Sequence, residues 1–467
     1  MGRIRANAFD ASATAVALLV TAWFGLHGST WPDWFFEARP AVDALMAGHV
    51  MHFLQLAPVY GGSLILRAPF MLMTKLWHGG ELSIYRASAA PCLAATGALG
   101  FWLIVRMRAR GSSAFARAVT VLLCVANPLT LPALQLGHPE ELLGAVLCIA
   151  AVLCALDDRP IWAAVLLGVA IANKEWAVLA AGPVLLALPR ARVRAALITG
   201  AVAGAVLAPL LLAGTSGFVA QAGAVGLRTG GIFQPWQIWW FLGAHAPATK
   251  YRIPPGWVAT LGHPIVIAVM PPLTALYAWV RRGKATRLPN DLLLLLALLL
   301  ALRCVLDPWD TSYYSLPFLL TLLTWESLSF TRPPMLTLTV SFVAWLIFRE
   351  TSSISVAHLS LDAQAMVFTI VSVPAIAALA ATLYVPGVRW LLGPRPGHER
   401  RGALGGIAMF GWVHAPAGLA RARHPASPLT APPASSGSLT RMRARDEAAR
   451  GLVIPTTPAG SAPAPRE

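Results

Sequence analysis

Apolar runs recur along this chain from Ala13 to Pro386, separated by short polar segments that carry most of the charge. A helix needs about 20 apolar residues to cross a bilayer. Because lipid offers the backbone no hydrogen-bond partners, such runs predict helices rather than open sheets. The pattern therefore predicts an all-α, polytopic helical membrane protein with about twelve transmembrane helices. Their expected bounds are 12–28, 86–105, 118–135, 141–156, 161–172, 177–189, 195–213, 259–280, 289–306, 315–331, 335–349 and 364–386.

One further apolar segment, residues 58–77, does not fit this alternation of loops. Counting it as a span would place the basic segment 106–117 on the outer side and would invert every later loop. We therefore predict one large outer loop over about 29–85. Within that loop, 58–77 is expected to lie along the membrane surface or to re-enter the membrane.

The first outer loop begins with a stretch that is rich in acids and aromatic residues. Phe35, Val42 and Leu45 fall on one helical face, whereas Glu37 and Asp43 fall elsewhere. This separation is typical of a short amphipathic helix lying on a bilayer.

The composition supports a membrane protein and changes the interpretation of its charge. Hydrophobic residues make up 57% of the chain and charged residues only 12%, too few to cover a soluble protein of this length. A net charge of +16 could indicate a nucleic-acid partner, but Lys and Arg lie in short loops and no nucleic-acid motif is present. Such basic loops face the cytoplasm and its anionic lipids. We predict a multi-pass protein of the cell inner (plasma) membrane with both termini cytoplasmic.

The transmembrane domain is expected to cover residues 1–392, with a second long outer loop at about 214–258. Residues 393–467 are rich in Pro, Ala, Ser, Gly and Arg, which predicts a disordered cytoplasmic tail. The five cysteines lie in apolar runs without C-x-x-C spacing, so no disulfide or metal site is indicated.

In this topology the unusual polar side chains all collect at the outer side. Ionisable groups at a membrane face are costly enough that a functional site is the default hypothesis. Lys174 and Arg303 are the candidate cations for a phosphate group. The candidate substrate-binding residues are Glu37, Asp43, His138, Glu140, Glu141, Trp236, Asp307, Asp310, Tyr313 and Tyr314.

Each of these groups also has a purely structural interpretation. Asp33 could belong to a capping box and satisfy only backbone N–H groups. Residues 138–141 could be an ordinary helix start with acids at the positive end of the dipole. Lys174 could pair with its neighbour Glu175, and Trp236 could belong to an interfacial aromatic belt.

The functional interpretation combines the same residues into one reaction. A carboxylate at the outer surface can take a proton from an acceptor hydroxyl. Cations at the same depth can hold a lipid-linked phosphate and stabilise it as it leaves. This arrangement suits the transfer of a sugar from a membrane-embedded phosphate carrier.

At this point the chain resembles the polyprenol-phosphate-dependent glycosyltransferases of the membrane C-type (GT-C) superfamily, especially the branch of bacterial α-mannosyltransferase-like enzymes (glycosyltransferase family 87). The likeness rests on an acid after the first span followed by an aromatic, alanine-rich helix, here the run Asp33–Gly48. It continues in Gly137-His-Pro-Glu-Glu141, where the family usually has Gly-Gln, in Lys174, and in the run Asp307–Pro317.

The resemblance implies that Asp33 is the catalytic general base of an inverting transfer. The donor would be a polyprenyl-phosphate-linked sugar, a mannose-like hexose or a pentose, and the acceptor a lipid or glycan of the cell envelope. No cofactor is expected, and no metal, although the outer acids could bind a divalent ion. The alternatives are a transporter or flippase of a lipid-linked saccharide, and a non-catalytic partner in a cell-envelope complex.

Overall fold

The computed structural model describes most of the chain up to residue 385, namely residues 2–27, 32–214, 233–247, 249–282, 290–349 and 358–385. Regular structure in these residues is almost entirely helical, which confirms the all-α prediction. The predicted tail (393–467) lies outside the described residues. So do the start of the first outer loop (29–31) and much of the second (215–232).

The first part of the described chain forms nine α-helices and two short turns of other helix types. Their bounds are α1 (Gly2–Leu26), a π-helical turn (Trp34–Ala38), α2 (Arg39–Met46), α3 (Val50–Leu56), α4 (Gly61–Met73), a 3-10 turn (Thr74–Trp77), α5 (Glu81–Ala109), α6 (Ala114–Val125), α7 (Thr130–Leu136), α8 (Glu140–Leu156) and α9 (Pro160–Asn173).

The second part adds eight more described α-helices and one two-stranded hairpin. Their bounds are a 3-10 turn (Glu175–Ala180), α10 (Ala181–Ala187), α11 (Arg192–Leu212), a 3-10 turn (Trp240–Leu242), β1 (Ala244–His245), β2 (Arg252–Ile253), α12 (Gly256–Ala268), α13 (Met270–Val280), α14 (Asp291–Leu306), a 3-10 turn (Ser312–Tyr314), α15 (Ser315–Ser329), α16 (Met335–Arg349) and α17 (Leu361–Tyr384). The strands are antiparallel, with Ala244 opposite Ile253.

Six described helical segments are long and apolar enough to cross a membrane, and they make this chain a membrane protein by length and composition. They are Ala8–Leu26, Glu81–Ala109, Ala114–Leu136, Arg192–Leu212, Gly256–Val280 and Leu361–Tyr384. The other predicted spans also coincide with helices, but these are shorter. The count of twelve spans therefore stays a prediction.

Three predicted spans differ from single continuous helices. The predicted span 118–135 contains α6 and α7, which are separated at Asn127-Pro128. The span 259–280 contains α12 and α13, and α13 has proline in its first turn. Proline lacks the N–H that would continue a helix from the preceding turn, which explains both interruptions. The span 177–189 begins as a 3-10 turn before α10.

The first half of the segment 58–77 packs inside the protein, whereas Phe70, Met73, Leu76 and Trp77 of its second half are exposed. Its place along the membrane surface, or as a re-entrant segment, stays a prediction. Its helix α4 has 13 residues and is about 20 Å long, too short to cross a bilayer. Arg67 in its middle is buried. Gly62 approaches α9 so closely that a Cβ there would come 2.0 Å from the carbonyl oxygen of Ala172. Part of the predicted amphipathic helix forms α2, which buries Val42 and Leu45, whereas Phe35 lies in the preceding π-helical turn. Its position on a bilayer stays a prediction.

The helices run between two chemically different ends of the bundle. Helix α5 begins at Glu81, which pairs with Arg39 at 3.2 Å, and ends in the basic segment whose Arg110 contacts the last carbonyls of α15. Helix α14 begins beside Arg281, which lies 3.4 Å from Asp291, and runs to Arg303. Nearly every side chain of α14 is buried, and this helix forms part of the core between the two ends.

Candidate functional site

A cavity of about 1280 Å³ opens at the end of the bundle opposite the basic loops. Eight of the candidate residues identified in the sequence line it, and they come from four separate stretches of chain, 33–37, 138, 174 and 303–314. They are Asp33, Glu37, His138, Lys174, Arg303, Asp307, Tyr313 and Tyr314. Residues as much as 281 positions apart (33 to 314) therefore line one cavity.

Asp33 precedes the π-helical turn but makes no capping hydrogen bond with its side chain. Its Oδ2 instead lies 3.0 Å from Nε2 of His138, and about a third of the side chain is exposed, 34%. The other half of the predicted capping box, Thr30, lies outside the described residues, so the capping interpretation stays a prediction. The carboxylate faces the cavity and contacts a histidine 105 residues away.

His138 is placed beside Asp33 by the left-handed backbone of Gly137, which has φ +111°. A Cβ on Gly137 would come 2.7 Å from the backbone nitrogen of Trp34, so only glycine fits this close approach. Nδ1 of His138 lies 2.7 Å from Oε1 of Glu140. The imidazole also stacks on Tyr313 with ring centroids 4.2 Å apart. The ring is therefore fixed on three sides.

Two carboxylates therefore approach the two ring nitrogens of His138, which lies in the linker between α7 and α8. Burial alone lowers the pKa of this imidazole. The charge of Glu140 and hydrogen bonds to Asp33 and Glu140 outweigh burial and raise the pKa to about 9. At neutral pH both ring nitrogens carry protons and donate to carboxylates.

Glu140 and Glu141 begin α8, as an ordinary helix start would, but their side chains are fully buried behind the cavity wall. Glu140 Oε2 lies 3.2 Å from the Arg67 guanidinium. Lys174 Nζ is 3.4 Å from an oxygen of each glutamate. Glu141 also lies 3.4 Å from Arg303. Removing Glu140 would take from Arg67 the glutamate it faces, and removing Glu141 would do the same to Arg303, whereas Lys174 would keep one glutamate in either case.

The two predicted phosphate-binding cations line the cavity in front of these glutamates. Lys174 ends α9 in an extended conformation, and its Nζ lies 4.4 Å from the ring centroid of Tyr60. Arg303 lies between two aromatic rings, 4.1 Å from Tyr314 and 4.8 Å from Trp176. The alternative pairing of Lys174 with the adjacent Glu175 is not seen among the ion pairs of the described residues.

The last motif divides between the cavity and the protein interior. Asp307 lines the cavity and lies 3.5 Å from His263 of α12. Asp310 is fully buried, and its carboxylate has no hydrogen-bond partner among the described residues. Burial and the charge of Asp307 raise the pKa of Asp310 well above its usual range.

Two further candidates lie away from the cavity. Trp236 packs on Phe348, with ring centroids 5.1 Å apart, and is not among the lining residues. Asp43 is exposed and pairs with Arg39 at 3.4 Å. With Glu140, Glu141 and Asp310, these residues have no contact with the cavity surface.

Sequence reasoning missed three residues that complete the cluster. Arg67 holds Glu140, Tyr60 lies between Lys174 and His138, and His263 faces Asp307. A signal existed for Arg67, because an arginine inside an apolar segment is as costly as a lysine inside one. The aromatic and imidazole contacts depend on tertiary packing and had no comparable signal.

Among the described residues, Asp33, Glu37 and His138 form a compact group of metal-ligand types. One ligand atom of each lies within 4.8 Å of the others. A cation there would have to displace the proton that His138 donates to Asp33. The arrangement fits a hydrogen-bonded cluster, and we assign no metal to it.

Comparison of the chain with protein-family models, with curated proteins and with solved structures finds no match. The functional conclusion therefore depends on the cavity and on the residues that line it.

Proposed function

We propose that this protein is a membrane glycosyltransferase of the GT-C type. It moves a sugar from a polyprenyl-phosphate carrier to an acceptor hydroxyl at the outer face of the membrane. One observation carries the proposal. The Asp33–His138 pair and the cations Lys174 and Arg303 line the same cavity, so a base and a phosphate site share one space.

The cavity also has an apolar side that suits a polyprenyl chain. Ile171, Leu179, Leu207, Val266 and Ile267 line it together with the polar residues. Ligand sites of this kind combine apolar walls with a few convergent polar groups. A lipid-linked sugar needs both surfaces, because its prenyl part is apolar and its phosphate and sugar are polar.

In the proposed reaction Asp33 takes the proton of the acceptor hydroxyl as that oxygen attacks the anomeric carbon of the donor. Lys174 and Arg303 bind the phosphate and stabilise the negative charge that builds on it as it leaves. Both cations are held in place before substrate arrives, by Glu140 and Glu141. Pre-positioned charge of this kind favours the transition state without reorganisation.

The location of the basic segments supports an outward-facing cavity. Arg106, Arg108 and Arg110 lie at the far end of α5, and Arg281 lies at the end of α13. Basic loops remain cytoplasmic, so the opposite end, with the cavity, faces outward in an inner (plasma) membrane. Lipid or glycan acceptors of the cell envelope would then reach Asp33 from the outer side.

The test is sugar transfer by membranes that contain the protein, offered a panel of radiolabelled polyprenyl-phosphate sugars. Wild type should form labelled product, and Asp33→Asn should form almost none at equal expression, because general-base catalysis is worth about 10²–10⁴-fold. Asp43→Asn is the matched control, since Asp43 is an exposed acid of the same loop that does not line the cavity. Equal activity of Asp33→Asn and wild type would remove Asp33 as the base.

One observation favours a second candidate, a transporter or flippase of a lipid-linked saccharide. Helix α9 is interrupted at Lys174, and broken helices with charged residues are typical of transporter binding sites. Movement of a labelled lipid-linked saccharide across proteoliposome membranes, without covalent transfer from any donor, would favour this candidate over the enzyme.

A further inference from the structure

His138 is held from both sides by carboxylates that differ in their access to the cavity. Its Nδ1 lies 2.7 Å from Oε1 of Glu140, and its Nε2 lies 3.0 Å from Oδ2 of Asp33. Glu140 is fully buried and does not line the cavity, so it cannot touch a substrate there. The Arg67 guanidinium lies 3.2 Å from the other oxygen of Glu140. A continuous polar chain thus runs from Arg67 to Asp33, and only its last two members reach the cavity.

We propose that Glu140 is a positioning residue for Asp33, acting through His138. The hydrogen bond that Nδ1 donates to Glu140 fixes the imidazole ring. The buried negative charge of Glu140 keeps a proton on Nε2 as well, and this N–H donates a hydrogen bond to Oδ2 of Asp33. Oδ2 of Asp33 is then occupied, and Oδ1 is the oxygen left to meet an acceptor hydroxyl. This inference rests on the proposed transferase function and assigns Glu140 a role in that reaction.

In the step that Glu140 supports, one bond forms, one bond breaks and one proton moves. The acceptor oxygen forms a bond to the anomeric carbon of the donor sugar. The bond between that carbon and the phosphate oxygen breaks, and its electron pair leaves on the polyprenyl phosphate. The hydroxyl proton passes to Oδ1 of Asp33, while Oδ2 keeps its hydrogen bond from His138.

Among the charges around His138, that of Glu140 has the largest effect on the pKa of the imidazole because of where each neighbour lies. The titratable and charged groups that face the ring from the surrounding elements are Asp33, Glu37, Glu140, Tyr60, Lys174 and Tyr313. Only Glu140 combines complete burial with a direct hydrogen bond to the ring. Its charge is therefore the least screened by water. Lys174 acts in the opposite sense and lowers the pKa of His138.

Glu140→Gln separates the charge of Glu140 from its hydrogen bond. With the amide oxygen on Nδ1 of His138, the NH₂ group faces one cation, Arg67, whereas the reverse orientation would point NH₂ at both the Nδ1 proton and Lys174. The first orientation meets fewer donors, so we expect the amide oxygen to accept from Nδ1. The proton lost on titration is then the one on Nε2, which Asp33 needs. In transfer assays from pH 6 to 10, kcat falls at alkaline pH when this proton is lost. We expect the midpoint of that fall to lie at least one pH unit closer to neutrality in Glu140→Gln than in wild type. The KM for the donor should change much less than kcat, because Lys174 keeps its second glutamate, Glu141, at 3.4 Å.

A second readout does not require activity. In protein labelled with 13C at the histidine ring, the His138 signal, assigned by its loss in His138→Gln, should titrate near pH 9. It should titrate at least one pH unit lower in Glu140→Gln. The matched control is Glu326→Gln. Glu326 is also buried, with 1% exposure, but its carboxylate accepts hydrogen bonds from backbone N–H groups of α16 and does not contact His138. That control should leave the His138 titration unchanged.

The two readouts separate failure of this inference from failure of the proposed function. An unchanged His138 titration in Glu140→Gln would overturn the positioning role, whatever the activity. A uniform loss of kcat at every pH, with no shift of the alkaline limb, would also overturn it and leave Glu140 a structural residue. If wild type transfers no sugar while the His138 titration shifts as expected, the transferase proposal fails but the Glu140–His138 coupling stands.

Discussion

The buried pair of Arg303 and Glu141 gives the sharpest test of how this site is held together. Arg303 is 3% exposed and Glu141 fully buried, with Nη1 and Oε2 3.4 Å apart. Removing one partner of a buried pair costs about 3–5 kcal/mol, because the other charge stays buried and unpaired. Lys174 still lies 3.4 Å from Glu141, so we expect Arg303→Met to cost about 3 kcal/mol, the lower end of that range.

The reverse single change, Glu141→Leu, should cost a similar amount, about 3–5 kcal/mol, because it strands Arg303 in the interior. The double variant Arg303→Met/Glu141→Leu should lose much less than the sum of the two single changes. Replacing a whole buried pair with apolar side chains is close to neutral in other proteins. We expect a coupling free energy of at least about 2 kcal/mol.

The assay is unfolding of the purified protein in mixed micelles by increasing SDS, followed by tryptophan fluorescence of its 17 Trp residues. Arg194→Met is the control, because Arg194 is an exposed arginine in the first turn of α11. If Arg303→Met is no more destabilising than Arg194→Met, or if the two single changes simply add, the buried-pair reasoning is refuted.

The double variant also separates the structural role of Arg303 from its proposed chemical role. Its fold should be close to that of wild type, but it lacks the cation that faces the cavity. We expect it to remain inactive in sugar transfer, because the leaving phosphate loses one of its two stabilising charges. Restored activity in the double variant would show that Arg303 acts only through the fold.

Three further changes test other parts of the same end of the molecule. Gly137→Ala should lower the free energy of unfolding by about 3 kcal/mol, because the new Cβ would lie 2.7 Å from a backbone nitrogen of the π-helical turn. The control Gly111→Ala, at φ +80° with open space around it, should lower it by about 1 kcal/mol. Unfolding in SDS compares the two variants. The pKa of His138 is raised from 6.5 to about 9 in the folded protein. The stability advantage of wild type over His138→Gln should therefore be complete below about pH 6.5 and should fall as the pH rises through 9. Unfolding at a series of pH values measures this difference, and a difference that does not depend on pH would contradict the prediction. Glu326→Gln should cost about 2 kcal/mol in the same unfolding assay, because the Glu326 carboxylate accepts two backbone N–H groups at the start of α16 and the Thr337 hydroxyl; an effect as small as that of Thr337→Ser would contradict it.

Much of the helical framework follows from the sequence alone. Apolar runs in a lipid environment must satisfy their own backbone hydrogen bonds, so their positions predict helices directly. That reasoning located helices at every predicted span and the amphipathic α2 in the first loop. It did not foresee the interruptions at Pro128 and before Pro271, because a proline can kink a helix or end it, depending on its neighbours.

The sequence also predicted that the polar residues lie at one end of the bundle, because the alternation of loops determines which helix ends lie on the same side of the membrane. It could not assign their partners. Lys174 illustrates the reason. Its neighbour Glu175 looked like its partner, but Lys174 is extended, and successive side chains of an extended backbone point to opposite sides.

Only the tertiary structure determined which charged side chains pair with each other. Lys174 pairs with Glu140 and Glu141, more than 30 residues earlier, and Asp33 meets His138 across 105 residues. Such pairs depend on how α4, α8, α9 and α14 pack, and packing depends on side-chain shapes along whole helices rather than on any local motif. The sequence by itself therefore determined that this is a helical membrane protein with a polar end. The packing of its helices decided that Asp33, His138, Lys174 and Arg303 share one cavity, with Glu140 and Glu141 buried behind it.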